Sequence, residues 1–494
     1  MWQRGDAGVR SDVVQSIARL GVLAEPEAID EISAAVDPDA ALLAVIAHVR
    51  TLSDPPIALT RVAVREILSG APPRGAATGT PRASAIIPAA DVSGQVEVIK
   101  DPTGESTCEG RIEDFSRYFR DRLQRLRRIL RTRREASGAQ EVARLKARAG
   151  GVRTIGMVGD LRRPVGGGAY FDLEDETGSV RCVAGKRGTV PPDLVNDEVV
   201  LVIGDMGSGS DAPLFVGEVV RPDVPSGLPT RRADEDICAA FISDIHVGSK
   251  TFLADNWERF LRWLNGDYAH GDEVAKRVKY LVVSGDLVDG IGVFPNQEHA
   301  LSIVDLEDQY RTLAEYFQRL PDHIEVIMLP GNHDGVRPAE PQPALPERTR
   351  RLFDRNARFA GNPSEFALHG VRVLAYHGRS FDDLVTNIQG MSYRTPLEMM
   401  EIMLKKRHVA PIYGDKTPLA PEHRDWLVID EVPDVFVTGH VHLTGARPYK
   451  SVTMVHDSAW QSQTEYQKMM NLVPDPARVP VLNLKSREVS LVQF

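Results

Sequence analysis

Five short phrases in the last 260 residues of the chain carry side chains of the types that bind metal ions and move protons. FISDIHVG supplies Asp244 and His246. VVSGDLVDG supplies Asp286, with Asp289 three residues on. MLPGNHDG supplies Asn332, His333 and Asp334, LAYHGRS supplies His377, and VTGHVHLTG supplies His440 and His442. Carboxylates and imidazoles without thiolates suit Mn²⁺, Mg²⁺, Fe or Zn²⁺ rather than a soft-metal or iron–sulfur site. The candidates Asp244, His246, Asp286, Asn332, His377, His440 and His442 are too many for one tetrahedral ion. They suffice for two ions about 3.5–4 Å apart sharing a carboxylate, the arrangement that clamps the attacking and leaving oxygens of a phosphoryl displacement. A single Asp-x-His or GNHD is weak evidence, and a lone histidine on an apolar strand is usually a core residue. Five such phrases in series carry the inference.

Each phrase closes an apolar run: AAFISD, YLVVSGD, IEVIMLPGN, VRVLAYHG and VFVTGHVH. Nearly continuous apolar runs belong to strands covered on both faces. Alternating here with helical stretches, they predict a layered α/β domain over 229–494. Strand ends are where open α/β sheets place their sites, and residues two apart on an extended segment point the same way.

The chain has 494 residues, of which 42% are hydrophobic and 26% charged. Its mean hydropathy is −0.22. No apolar run approaches the ~18 residues of a membrane span, which excludes a membrane-spanning enzyme. The opening MWQRGDAGVRSDVVQ lacks the apolar stretch of a secretory signal. Cys108, Cys182 and Cys238 stand too far apart for a CxxC zinc site or a disulfide framework. A cytoplasmic location is expected. A net charge of −10 means that any nucleic-acid contact is local.

Ahead of the α/β domain, 1–69 reads as a small helical bundle, with Val13, Val14, Ile17, Leu20, Ile29, Ile32, Leu42, Leu43 and Ile46 at helical intervals. Pro26, Pro38 and Pro55 break it, and Thr60 is placed to cap its last helix. Residues 70–110 begin with a Gly/Ala/Pro/Ser text that reads as a flexible linker. Over 111–150 an amphipathic helix carries a stripe of Phe115, Phe119, Leu123, Leu126 and Leu130, opposite a dense run of arginines. Arg117, Arg120, Arg125 and Arg128 are the expected contacts to DNA phosphates or to a protein partner. Docking is favoured, because the apolar stripe must itself be buried. Residues 151–228 show short strands split by turns and predict a five-stranded OB-type barrel. Tyr170, Phe171 and Phe215 are few for a base-stacking surface, so the barrel reads as structural or subunit-docking.

The series DIH, GDLVD, GNHD, YHG and GHVH resembles the calcineurin-like metallophosphoesterases. Within them, IEDFSRYFRDRLQRLRRIL, LPGNHDGVRPAEPQPAL, WLVIDEVPDVFVTGHVHLTG and SAWQSQTEYQKMMNLVPDPARVPVLNL resemble the small subunits of archaeal family-D DNA polymerases. This resemblance implies an OB barrel followed by a phosphoesterase domain. It implies that Asp244, His246 and His442 hold one ion, that Asp286 bridges, and that Asn332, His377 and His440 complete the second. His333 would stand over the scissile phosphate as general acid or phosphate-orienting group. The implied cofactors are two divalent ions, Mn²⁺ before Mg²⁺. The implied activity is a 3′→5′ proofreading exonuclease, with a large polymerase subunit and DNA 3′ ends as partners and no membrane. HDSAW at 456–460 departs from the Asn-Ser-Gly-type text expected of relatives, and GDLVDG lacks the arginine of Ser/Thr phosphatases. Two alternatives are a non-catalytic scaffold, whose eukaryotic counterparts lack the metal ligands, and a phosphoesterase of small nucleotides. The second leaves the barrel and the arginine helix unexplained.

Overall fold

The computed structural model describes residues 17, 23–35, 37–51, 58–59, 61–68, 89–146, 151–185, 190–209, 212–266, 273–354 and 356–494. The chain forms two compact units, 1–85 and 86–494. No helix among the described residues is long and apolar enough to cross a membrane.

In the first unit the described helices are Pro26–Ser33, Pro38–Thr51 and Arg61–Leu68. Proline at the first helical turn needs no amide partner, and the Asp37 carboxylate accepts from the Ala40 amide at 3.0 Å. Ile17, Ala28, Ile32, Ala41, Val45, Val49 and Val64 share one small core. A two-residue parallel pair, Leu23–Ala24 with Ala58–Leu59, adds strand character that the helical periodicity does not announce. Thr60 lies outside the described residues.

In the second unit, Val152–Arg162, Ala169–Asp175, Gly178–Ala184, Val199–Met206 and Leu214–Val220 close into a barrel. The first strand pairs with both the second and the fourth, and the third runs parallel to the fifth. Phe171 is fully buried in its core, whereas Phe215 is exposed and Tyr170 lies under Arg181.

The remainder is a four-layer sandwich. One sheet is ordered Ala357–Phe359, Glu325–Leu329, Val278–Ser284, Cys238–Ile242, Arg478–Asn483, Val489–Gln493, its first four strands parallel. The other runs Gly445–Tyr449, Val452–His456, Val435–Thr438, Val371–Ala375, Ser364–Leu368, Val96–Lys100. Successive side chains serve opposite faces: Ala239 and Phe241 meet Val373, Ala375, Val435 and Val437 between the sheets. Cys238, Ala240 and Ile242 instead join Trp257, Phe260 and Leu313 from the outer helices Ala254–Leu264 and Leu306–Phe317. Leu374, Phe436 and Met454 pack under Phe381, Met399 and Met403 on the far side. Cover on both faces is why these strands read as unbroken apolar runs.

Three expectations need correction. Residues 89–110, assigned to the linker, belong to the sandwich: Val96–Lys100 pairs antiparallel with Ser364–Leu368. A buried Lys100 amino group donates to the Val428 carbonyl at 2.6 Å. Five residues of strand carry too little periodicity to stand out beside so much Gly, Ala and Pro; positions 70–88 of that stretch lie outside the described residues. Second, the apolar stripe of helix Ile112–Arg131 needs no partner chain, since Leu123, Leu126 and Leu130 pack on Ile155, Val199 and Leu201 of the barrel and on Val428. Third, Arg125 is not a free cation. It is buried and forks onto Asp430 and Asp121, while its neighbour Arg122, fully buried, meets Asp425 at 2.6 Å and the Pro411 carbonyl at 2.7 Å. Arg117, Arg120 and Arg128 remain exposed.

The barrel is joined to the sandwich by a similar buried network, in which Lys406 pairs with Glu198 and donates to the Asp193 carbonyl at 2.7 Å, and Arg221 meets Glu198 at 2.6 Å. Removing one partner from a buried pair leaves the other charge uncompensated. Arg122→Ala is therefore expected to destabilise the unit by about 3–5 kcal/mol in denaturant unfolding, whereas exposed Arg120→Ala stays within about 0.5 kcal/mol.

Candidate metal centre

All five motifs lie just beyond the C-terminal ends of parallel strands, three in one sheet and two in the other, so both edges of the inner sandwich feed one site. Asp244, His246 and His442 bring one ligand atom each within 4.8 Å of one another, and Asp286, His377 and His440 do the same. His442 Nε2 stands 3.4 Å from Asp244 Oδ1 and 3.3 Å from His246 Nε2. Asp286 Oδ2 lies between the groups, 3.8 Å from His246 Nε2 and 3.3 Å from His377 Nε2. Asn332 Oδ1 is 3.1 Å from that same His377 nitrogen. The seven sequence candidates are thus together, split into two clusters about Asp286.

The backbone is strained to achieve this. Asp244, His246, Asp286, His440 and His442 all have positive φ, between 49° and 79°, a conformation that non-glycine residues adopt at a cost of order 1–3 kcal/mol. Two glycines preceding ligands admit the close approach. A Cβ on Gly331 would stand 2.2 Å from Asp286 Oδ1, and one on Gly439 would stand 2.3 Å from Ser243 Oγ and 2.5 Å from Asp244 Oδ2. The G of GNHD and the G of GHVH are there because another motif's carboxylate occupies the space.

Each imidazole is oriented by a second group, which fixes the nitrogen left facing the centre. His377 Nδ1 donates to the Ser284 carbonyl at 3.0 Å. His246 Nδ1 faces Asp289 Oδ1 at 3.1 Å, His442 Nδ1 pairs with the Gln467 amide at 2.9 Å, and His440 Nε2 faces Asp382 at 3.5 Å. His333 Nδ1 donates to the Asp289 carbonyl at 2.7 Å, and its Nε2 faces Asp286 from 4.0 Å. Asp289, although close to both His246 and His333, is engaged in holding them. Asp334 turns away from the centre: its carboxylate accepts from the Gly331 and Leu287 amides and from Tyr310. Burial, with Asp286 nearby, pushes its pKa up to about 6. Asp382 and Gln467 were not legible in sequence. Asp382 follows His377 with no spacing signal, and Gln467 lies well beyond the last motif.

The donor set fits cations. Asp244 Oδ1 is buried without a hydrogen bond, an orphaned anionic oxygen aimed at two imidazoles. Burial raises the carboxyl pKa of Asp244 and of Asp286, but histidines outweigh it and hold both below the usual range, chiefly His442 for Asp244 and His377 for Asp286. Burial works against the charged ring of His377, yet Asp286 and Asp244 lift it to about 10. In the ion-free protein, the proton on His377 compensates part of the charge that a divalent ion would neutralise.

Comparison with known proteins gives the family. The family model for the second, B-type subunit of DNA polymerases alpha and epsilon matches residues 239–444. The DNA polymerase II small subunit of Archaeoglobus fulgidus is 45% identical over 390 residues, covering 78% of each chain. The chain belongs to the DNA polymerase II small-subunit family. The Methanocaldococcus jannaschii member is 43% identical, covering 80% of this chain and 68% of its own, and the Halobacterium salinarum member is 37% identical over 98% of each. A solved archaeal phosphodiesterase overlaps 52% of this chain at 12% identity with a TM-score of 0.27, too low to carry an argument.

Gly439→Ala is expected to push Asp244 out of position and weaken Mn²⁺ binding by about 10–100-fold in calorimetric titration, with the sandwich still folded. Unchanged affinity would show that the Asp244 cluster is not an ion site.

Proposed function

We propose that the chain is the exonuclease subunit of a DNA polymerase, hydrolysing phosphodiesters at DNA 3′ ends and supporting a larger subunit that carries synthesis. The observation that carries this reading is the pair of ligand clusters about Asp286. In it, Asp244, His246 and His442 would hold one divalent ion and Asn332, His377 and His440 the other, with the Asp286 carboxylate placed between the two groups. Two such ions, when bound, supply a water nucleophile near neutral pH and screen the charge of the phosphate. The chain's own work is positional. Asp289 and Gln467 hold the rings of His246 and His442, and the Asp289 carbonyl holds Nδ1 of His333 so that Nε2 faces the scissile group. His333, partly exposed like Asn332 and His440 and with its Nδ1 already engaged by the Asp289 carbonyl, is placed to orient the phosphate or give the leaving 3′-oxygen its proton. The barrel, read as an OB fold, and exposed Arg117, Arg120 and Arg128 are surfaces for the large subunit or for DNA.

A non-catalytic scaffold would have no use for five strained ligand backbones and an orphaned buried carboxylate oxygen. A nucleotidase would leave the barrel idle.

His333→Ala is expected to abolish release of nucleotides from a single-stranded oligonucleotide while retaining near-normal Mn²⁺ content by elemental analysis; Asp286→Ala loses both ions. Equal metal loss in the two variants would remove His333 from the role given. Because ion-free His377 keeps its proton up to about pH 10, ion loading releases a proton. Apparent Mn²⁺ affinity should therefore rise with pH by up to about tenfold per unit below that value, and a flat profile in calorimetry would contradict the assignment.

A further inference from the structure

Large apolar side chains are exposed in two segments that border the centre. Ile291, Val293, Phe294 and Val304 stand 37–49% exposed on one, and Met469, Met470 and Val473 stand 47–78% exposed on the other. Both segments are tied to site histidines. The second contains Gln467, which holds His442. The first begins at Asp289, whose carbonyl accepts from both His333 and Gln297, each at 2.7 Å.

The first segment is also rigidly built. Gln297, fully buried, accepts from the Val293 amide at 2.9 Å. Gln309, equally buried, accepts from the Gly290 amide at 2.9 Å and donates to the Ile303 carbonyl at 2.8 Å. A Cβ at Gly290 would stand 2.2 Å from the His333 carbonyl oxygen, so the loop lies directly against the residue assigned to the phosphate. Two buried glutamines thus fix the backbone of a loop that holds Phe294 in water, an arrangement that folding alone does not favour.

We infer that this rim receives the base of the 3′-terminal nucleotide of an unpaired strand, with Phe294 stacking on the base while its phosphodiester lies at the ion clusters. The inference rests on the exonuclease reading and names the feature of DNA that the site would select. A base is joined to its phosphate through one sugar, and the rim loop lies against His333 at Gly290 and at the Asp289 carbonyl, so a phosphate held at His333 would carry its base toward this loop. A base offers a free face only when it has left the duplex, so such a rim would favour frayed or mismatched ends over paired ones. Stacking is tolerant of base identity, as a site acting on any sequence requires.

The test uses the full chain and 5′-labelled oligonucleotides bearing a phosphorothioate at the last linkage, ending either in an ordinary nucleotide or in an abasic residue. By anisotropy, Phe294→Ala should weaken binding of the ordinary end roughly 5- to 150-fold, the range for loss of one base–aromatic stack, and leave the abasic end unchanged. Phe294→Trp should retain wild-type binding of both. Equal losses on the two ends, no loss on either, or a variant that loses only the large subunit's affinity would each overturn the proposal. Nucleotide release with Mn²⁺ on an unmodified strand is measured in parallel. If the wild-type chain releases none, the exonuclease reading fails, while a base-dependent loss of binding would still establish the rim as a base contact.

Discussion

Two carboxylates held in one buried pocket set the terms for the rest of this structure. Asp244 and Asp286 are almost without solvent, and burial alone would drive both to protonate. Imidazoles brought in by other strands hold them ionised instead. An anionic oxygen without a donor, faced by rings whose outer nitrogens are already committed, is an environment that a cation completes. Moving any of these groups far would leave charge stranded in a medium that solvates it poorly. Four sandwich layers and two parallel-sheet edges are the means by which the chain prevents that movement.

The same demand explains where local rules are broken. Left-handed backbone at five candidate ligands would not persist on a free loop, because relaxing each one would release energy. Here the turns are short and leave buried strands directly. Gly331 and Gly439 let a carboxylate from a different strand fill the place of a side chain. Strain and close approach are thus paired: the turns point the donors inward, and the missing Cβ atoms give the donors room.

The arginine helix shows how composition can mislead about partners. A run of cations reads as a surface for anions, yet Arg122 and Arg125 point inward, where they meet Asp425, Asp430 and backbone carbonyls. The helix is a strut between barrel and sandwich, its leucines on the barrel and its inward guanidinium groups on the 425–430 segment. Arginine suits that position because its planar fork can satisfy several acceptors at once without shedding its charge. Arg117, Arg120 and Arg128 stay exposed on the outer side.

The order and type of the donors were determined by sequence alone, since apolar runs long enough to be strands and ending in Asp, Asn or His can place those residues only at strand ends. The barrel's short strands were legible for a similar reason: their alternation and turn residues are local properties. Tertiary structure decided what depends on distant partners. Whether Arg125 is a free cation turns on carboxylates some three hundred residues away, and whether Val96–Lys100 is linker or strand turns on the open edge of Ser364–Leu368. Asp289 and Gln467 acquire a role only when the fold carries them to the far nitrogens of His246 and His442, because a hydrogen bond is a matter of a few ångströms in space and leaves no mark on spacing along the chain.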